Sequence, residues 1–297
     1  MKPYTLSLKL TRINLNQYRK HIIIVGTARS GTSWLSETIA QQHRYRLLFE
    51  PEHETRTPKG YLLCDQWIEV LDTTSEAYRY LHQIFANRVD CDWIAQNSNR
   101  QFKRHLWPFL PKKYIIKFVR ANLLAKYMNE AFGIPVIHMI RNPYDVLYSQ
   151  QRANFPWLVD MGHFSSQKPL VDLVKNRFQF DLGAVSKLTT LELLTLRWCI
   201  ENVIPLEVLK PYEHKHRVVR YENLFHDIQV FYDLCTYFDI LPIKDIERVY
   251  KLPSSKTHDQ SRIKTKQKPL LTFNTEELAQ INGILDVFET KLYPRQY

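Results

Sequence analysis

Glycine is scarce, with seven in 297 residues. Two of the seven, Gly26 and Gly31, fall within one six-residue stretch, which marks that stretch for an unusual backbone task. Cysteine is scarce too. Cys64, Cys91, Cys199 and Cys235 lie far apart with no Cys-x-x-Cys pair. This excludes a zinc ribbon and a disulfide scaffold and leads us to expect reduced thiols in a cytoplasmic protein. No apolar run reaches the length of about 18 residues that a transmembrane helix needs. The first twenty residues, MKPYTLSLKLTRINLNQYRK, lack an apolar core and a small-residue cleavage site, so no secretory signal is expected. Internal repeats, low-complexity tracts and long linkers are missing as well. With 44% apolar and 24% charged residues, the chain is expected to form a single domain over residues 1–297 with a sizeable core.

Positive charge is abundant. Lys plus Arg number 41 against 30 Asp plus Glu, a net +11. A surplus of this size suits anionic partners, whether nucleotide, nucleic acid, acidic polymer or, peripherally, membrane headgroups. Aromatics do not interleave the basic run Arg262-Ile-Lys-Thr-Lys-Gln-Lys268, so no nucleic-acid platform is expected there. A solvated charge run accounts for it, and closure over a bound anion is the other reading.

His21-Ile-Ile-Ile-Val25 is a β-branched run that predicts a buried strand. Further strands are expected at 114–119, 135–140 and 216–221, each followed by a helical pattern: 121–132, a turn at Asn142-Pro143 leading into a helix to about 152, and 223–238. Residues 60–110 read as mainly helical, 187–210 as one long helix, 154–186 as a loop or lid, 251–268 as a basic loop and 275–291 as a closing helix. Alternating strands and helices at this spacing indicate βαβ units around a parallel sheet.

Gly26-Thr-Ala-Arg-Ser-Gly31-Thr-Ser33 follows the first strand and opens the first helix. Unpaired N–H groups at a helix N-terminus bind phosphate, and the glycines let the backbone wrap close to it. The spacing matches the nucleotide loop Gly-x-x-x-x-Gly-Lys-Ser/Thr, except that Thr32 stands at the lysine position and the cation is Arg29. The fold class expected is therefore α/β, a central parallel sheet flanked by helices with P-loop-like nucleotide-binding topology. A tight turn without a ligand is the plainer reading of this segment. Arg141 ends the third strand and Ser149 lies two helical turns on, so both could face the same crevice. Pairing of Arg141 with Asp145 is the plainer alternative.

Taken together, these segments resemble the sulfotransferase family. Ala28-Arg-Ser-Gly-Thr-Ser-Trp34 is similar to its 5′-phosphosulfate loop, usually PKSGTTW. Arg141-Asn-Pro-Tyr-Asp-Val-Leu-Tyr-Ser149 resembles its 3′-phosphate motif, and Arg220-Tyr-Glu-Asn-Leu224 its later YEDL element. The resemblance implies the donor 3′-phosphoadenosine 5′-phosphosulfate (PAPS), with PAP as product. It implies donor-binding roles for Arg29, Ser30, Gly31, Thr32, Ser33, Trp34, Arg141, Ser149 and Tyr221. No metal is required, and no convincing His/Cys ligand spacing is visible.

The cytosolic branch of the family uses Lys-Thr-His. Here Lys117 keeps the lysine, but Val119 replaces the histidine. Leu48-Phe-Glu-Pro-Glu-His53 looks like the FEP element of the carbohydrate branch, which implies Glu50 as general base. Glu52, His53 and Glu54 are close alternatives, and a capping role for Glu50 is the plainer reading. Arg29, Glu50 and Lys117 form the expected catalytic set; a lysine snorkelling to the sheet end is the alternative for Lys117. The activity implied is sulfuryl transfer to a hydroxyl of a carbohydrate, glycolipid or small molecule. A P-loop kinase or hydrolase, or a non-catalytic PAPS-binding protein, are the competing functions.

Overall fold

The computed structural model describes residues 18, 20–42, 45–89, 91–96, 113–255 and 273–297. The basic run at 262–268 lies outside these residues. Five short runs form strands: β1 Ile22–Val25, β2 Tyr45–Phe49, β3 Lys113–Lys117, β4 Val136–Ile140 and β5 His216–Arg220. They pair in the order β2-β3-β1-β4-β5, and every pair is parallel. The helices are α1 Thr32–Ala40, α2 Glu76–Phe85, α3 Asp92–Ala95, α4 Ala125–Phe132, α5 Pro143–Ala153, α6 Gly162–Ser165, α7 Lys168–Phe178, α8 Thr190–Val203, α9 Tyr221–His226, α10 Ile228–Tyr237, α11 Ile246–Tyr250 and α12 Thr275–Val287. This is the α/β architecture that the alternation predicts. No helix among the described residues is long and apolar enough to cross a membrane.

Side-chain alternation along β1 supplies two cores. Ile23 and Val25 pack towards α2 and α4 with Ile84, Phe85 and Met128. Ile22 and Ile24 pack towards α1 and α10 with Leu35, Ile39 and Phe231. A third cluster joins α5, α7, α8 and α12 through Leu147, Val174, Trp198 and Ile281. Local signals set the helix ends. The Asn142 side chain accepts the Tyr144 N–H at 3.0 Å, with Pro143 in the first turn of α5. Capping boxes at Thr189/Glu192 and Asn274/Glu277 start α8 and α12.

Connections from β1 and from its neighbour β4 leave towards opposite sides of the sheet. The crevice between their carboxyl ends is thus a topological switch point, where open α/β sheets bind ligands. Four local departures from expectation have physical reasons. Strand β2 was not expected, because Tyr45-Arg-Leu-Leu-Phe49 is short and runs straight into a turn. The helix expected at 223–238 breaks at Asp227, whose carboxylate caps the Gln229 N–H at 2.8 Å. The helix expected at 187–210 is regular only to Val203. Pro205 then brings no N–H, and Ile204–Val208 widen into a π-turn. Residues 154–186 hold α6 and α7, with Leu158, Phe164, Leu170 and Val174 buried.

Burial at the start of β1 makes His21 a point at which acid works against the fold. His21 is 4% exposed. Its Nε2 is 3.1 Å from the Phe85 carbonyl oxygen, and its Nδ1 accepts the Tyr114 N–H at 3.4 Å. The neutral ring with its proton on Nε2 satisfies both. Desolvation lowers its pKa from 6.5 to about 4, against a smaller opposing effect of the Phe85 carbonyl. The unfolded chain therefore takes up this proton first, and stability present above pH 6.5 is lost as pH falls towards 4. Buried Glu52 and Glu201, both raised to about 7, act in the opposite sense, so the His21 contribution is read by difference. His21→Gln is expected to remove about 2–3 kcal/mol of the stability change between pH 7 and pH 4.5. Urea titrations at the two pH values test this; parallel losses in both proteins would refute it.

Candidate active site

The loop after β1 is pressed between β4 and α9. A Cβ at Gly26 would lie 2.4 Å from the Met139 carbonyl oxygen, and one at Gly31 would lie 2.5 Å from the Tyr221 ring. Gly31 also has φ +96°, a conformation that side chains resist. It precedes α1, whose N-terminus has no side-chain cap. The Ser30 side chain is buried, and its hydroxyl has no hydrogen-bond partner among the described residues. Uncapped N–H groups beside an orphaned hydroxyl and a close-wrapped backbone suit an anion.

Two arginines meet at this loop. Arg29, itself at φ 75°, donates from Nε to Ser149 Oγ at 3.0 Å, and its carbonyl accepts from Arg141 Nη1 at 3.1 Å. Arg141 lies 3.7 Å from the Asp145 carboxylate and 4.6 Å over the Tyr221 ring, while its buried Nε has no partner. Burial first, and then the Arg141 charge, hold the Arg29 pKa below its ordinary value. The guanidinium remains charged throughout the physiological range. Two like charges this close favour the arrival of an anion. The two cradles expected from sequence thus share one crevice, with Ser149 bonded to Arg29. Trp34 lines the same space, donating its indole N–H to the Tyr250 carbonyl at 3.3 Å.

Core residues of α5 and α8 brace the loop. Gln150 Nε2 donates to the Ala28 carbonyl at 3.0 Å, Asn202 Nδ2 to Thr27 Oγ1 at 2.7 Å and Trp198 Nε1 to the Arg141 carbonyl at 3.3 Å. None of these three carries a sequence signal, because polar residues inside a helical pattern read as surface.

Glu50 and Lys117 are brought together at the ends of β2 and β3. Their side chains form an ion pair, with the ammonium 3% exposed and the carboxylate 19%. Lys117 Nζ also sits 4.3 Å over the Phe49 ring. Glu50 has φ 43°, so a strained backbone aims this carboxylate, as it does the Arg29 guanidinium. The neighbouring acids are engaged elsewhere. Glu52 is 1% exposed, and its Oε1 accepts the Val119 and Arg120 N–H groups at 2.6 and 3.0 Å. Burial first and then Glu50 raise its pKa to about 7. Glu54 faces Arg120 and His163. The His53 ring lies edge-on to Trp93, and burial lowers its pKa.

Behind this wall lies a buried charge network that sequence reasoning missed. Arg197, on α8, is 0% exposed. It donates to the carbonyls of Trp157, Leu158 and Asp160 at 3.1, 2.8 and 2.6 Å. It also pairs with Asp65 and Glu201 at 3.2 and 3.1 Å. Asp65 in turn holds Arg120 through Nε and Nη2 at 2.9 and 2.5 Å.

Both walls line one cavity of about 880 Å³ that contains Arg29, Arg141, Glu50 and Lys117. Ser33, Thr32, Ser149 and Tyr221 line it too, whereas Ser30 is behind its surface. Away from the arginine pair, the lining adds Arg56, Trp93, Phe155 and Trp157. These were not singled out from sequence, since an isolated aromatic in a loop is indistinguishable from core. The cavity can hold an anion beside its arginine pair and present a carboxylate beside a buried cation.

The family model described as a sulfotransferase domain matches residues 19–230. No curated protein matches. Among solved structures, the chain is similar to a sulfotransferase domain from the curacin biosynthetic pathway, at 16% identity, 93% of each chain and TM-score 0.43. It is also similar to a sulfotransferase from Alicyclobacillus acidocaldarius, at 15% identity, 90% of this chain and 93% of that one, with TM-score 0.38. A Mycobacterium avium sulfotransferase gives 12% identity, 98% and 82% coverage, and TM-score 0.48. With the family model spanning well over half its length, the chain belongs to the sulfotransferase domain family.

Proposed function

We propose that this chain moves a sulfuryl group from PAPS to a hydroxyl of a carbohydrate, glycolipid or small-molecule acceptor and releases PAP. The observation that carries this reading is that the arginine pair at Arg29 and Arg141 and the Glu50–Lys117 pair line a single cavity. The residues fit the donor. Its two phosphate ends require separated anion contacts, and the uncapped start of α1 and the unpartnered Arg141 Nε offer them. When bound, the donor supplies an activated sulfuryl group on a phosphate leaving group.

The protein's part is then electrostatic and positional. Gly31, Thr32 and Ser33 hold the phosphosulfate end through backbone N–H and hydroxyl groups. Arg29 offsets the charge that develops on the departing phosphate oxygen. Arg141 and Ser149 hold the 3′-phosphate, and Trp34 and Tyr221 flank the adenine. Glu50 Oε accepts the acceptor's hydroxyl proton as its oxygen attacks sulfur, and Lys117, ion-paired with that carboxylate, holds it in position. No metal takes part in this reading.

Calorimetric titration with PAP, set against ATP–Mg, tests the donor assignment, and transfer of labelled sulfate from PAPS to an acceptor panel tests the reaction. Preference for ATP–Mg would favour a kinase or hydrolase; PAP binding without transfer to any acceptor would favour a binding protein. Arg141→Ala is expected to weaken PAP binding by more than about 1.5 kcal/mol, roughly tenfold, the scale of a charge-assisted hydrogen bond. Unchanged affinity in the same titration would remove Arg141 from the site.

A further inference from the structure

Glu54, Cys64 and His163 lie far apart in the sequence, yet the fold gathers them. Glu54 is in the turn after β2, Cys64 follows the helical turn Gly60–Leu62, and His163 is on α6. Their ligand atoms, a carboxylate oxygen, a sulfur and an imidazole nitrogen, all lie within 4.8 Å of one another. Among the described residues this is the one such group of His, Cys, Asp and Glu. From this geometry we infer that Glu54, Cys64 and His163 form a zinc site beside the sulfuryl-transfer cavity, stapling the segment after β2 to α6.

The spacing carries the assignment. Two ligands about 2.0 Å from a tetrahedral zinc ion are about 3.3 Å apart. Glu54 Oε1 and His163 Nε2 are hydrogen-bonded at 3.1 Å, so a zinc ion can take the place of the shared proton with little movement of either side chain. A thiolate at about 2.3 Å needs edges of about 3.5 Å, so the sulfur, no more than 4.8 Å from the other two ligand atoms, has to close by at most about 1.3 Å, within the reach of a small side-chain rotation. One sulfur, one imidazole nitrogen and one carboxylate oxygen select zinc over magnesium or calcium. Three protein ligands leave a fourth position for water.

The surroundings orient this set. Arg120 Nη1 lies 3.5 Å from Glu54 Oε2, which leaves Oε1 to the imidazole. Gln167 Nε2 donates at 2.8 Å to the carbonyls of both His163 and Asp65, clamping α6 to the residue beside Cys64. Such outer contacts are what hold metal ligands in place. Arg120 opposes an incoming cation, but Asp65 already pairs with it, and the thiolate and Glu54 carboxylate balance the zinc charge. On binding, the Cys64 S–H bond breaks, a Zn–S bond forms and that proton leaves to solvent, while the His163 proton shared between Nε2 and Glu54 Oε1 is released and the ring keeps its proton on Nδ1 as the Zn–N bond forms.

Chelator-stripped full-length protein, titrated with Co²⁺, tests this. One equivalent is expected to give tetrahedral d–d bands and a near-ultraviolet thiolate-to-cobalt band, both abolished by one equivalent of Zn²⁺. Cys64→Ser should lose the near-ultraviolet band, and Cys91→Ser should keep it. Because Cys64 is fully buried, His163→Asn gives a second arm: zinc affinity measured against a chromophoric chelator should fall at least about tenfold. No cobalt bands, or bands and zinc affinity unchanged in both Cys64→Ser and His163→Asn, would overturn the site. The outcome is independent of whether PAPS binds.

Discussion

Glu50→Gln is expected to slow sulfuryl transfer by about 10²–10⁴-fold, the usual contribution of a positioned base, while PAP affinity stays within about twofold. The amide keeps the shape of the carboxylate and its hydrogen bond from Lys117 but cannot take a proton from the acceptor. Glu50 follows β2, which β3 separates from β1 and the Arg29 loop, so donor binding should register little. Its loss does leave the 3% exposed Lys117 ammonium without a counter-charge, and some stability will be lost. Assays should therefore be run well below the variant's melting temperature, with PAP titration as the check on folding. A rate within threefold of the parent would move the base to another residue. Slow turnover together with lost PAP binding would implicate the fold instead.

The largest stability effect is expected at Asp65. Asp65→Asn should cost about 3–5 kcal/mol, the range for breaking a buried ion pair from one side. Arg197, with no exposed surface, and Arg120 both depend on this carboxylate. Glu201 offers little relief. Its pKa is raised to about 7, by burial above all, so near neutral pH it is a weak counter-ion and Asp65 carries most of the compensation. Asparagine tolerates the φ of 55° at this position, so the effect reports charge rather than backbone. Urea unfolding at pH 7 measures it, and a loss under about 1 kcal/mol would mean that water reaches the pair. Arg197 also holds the carbonyls around Trp157, so the aromatic wall of the cavity should loosen with the network.

The residues that speak through backbone geometry were legible in the sequence. The β-branched run at 22–25, the two close glycines and the Asn-Pro cap each have one local meaning, and together they point to the parallel sheet and the tight loop after β1. Arg29, Arg141 and Ser149 could be placed at one crevice because parallel strands bring their carboxyl ends together. What stayed hidden depends on long-range packing. Arg197 and Glu201 sit inside a helical pattern where charge normally means solvent, and only the fold reveals Asp65 opposite them. Strand β2 escaped notice, although the FEP element that ends it pointed to Glu50. Glu54, Cys64 and His163 have no shared spacing to read.

The left-handed backbone at Arg29 sets two demands against each other at one position. A non-glycine residue there costs about 1–2 kcal/mol, which glycine would give back. Laboratory selection for heat tolerance alone would thus be drawn to the very residue that we propose grips the anion. Any thermostabilised derivative of this protein needs codon 29 locked before the library is made.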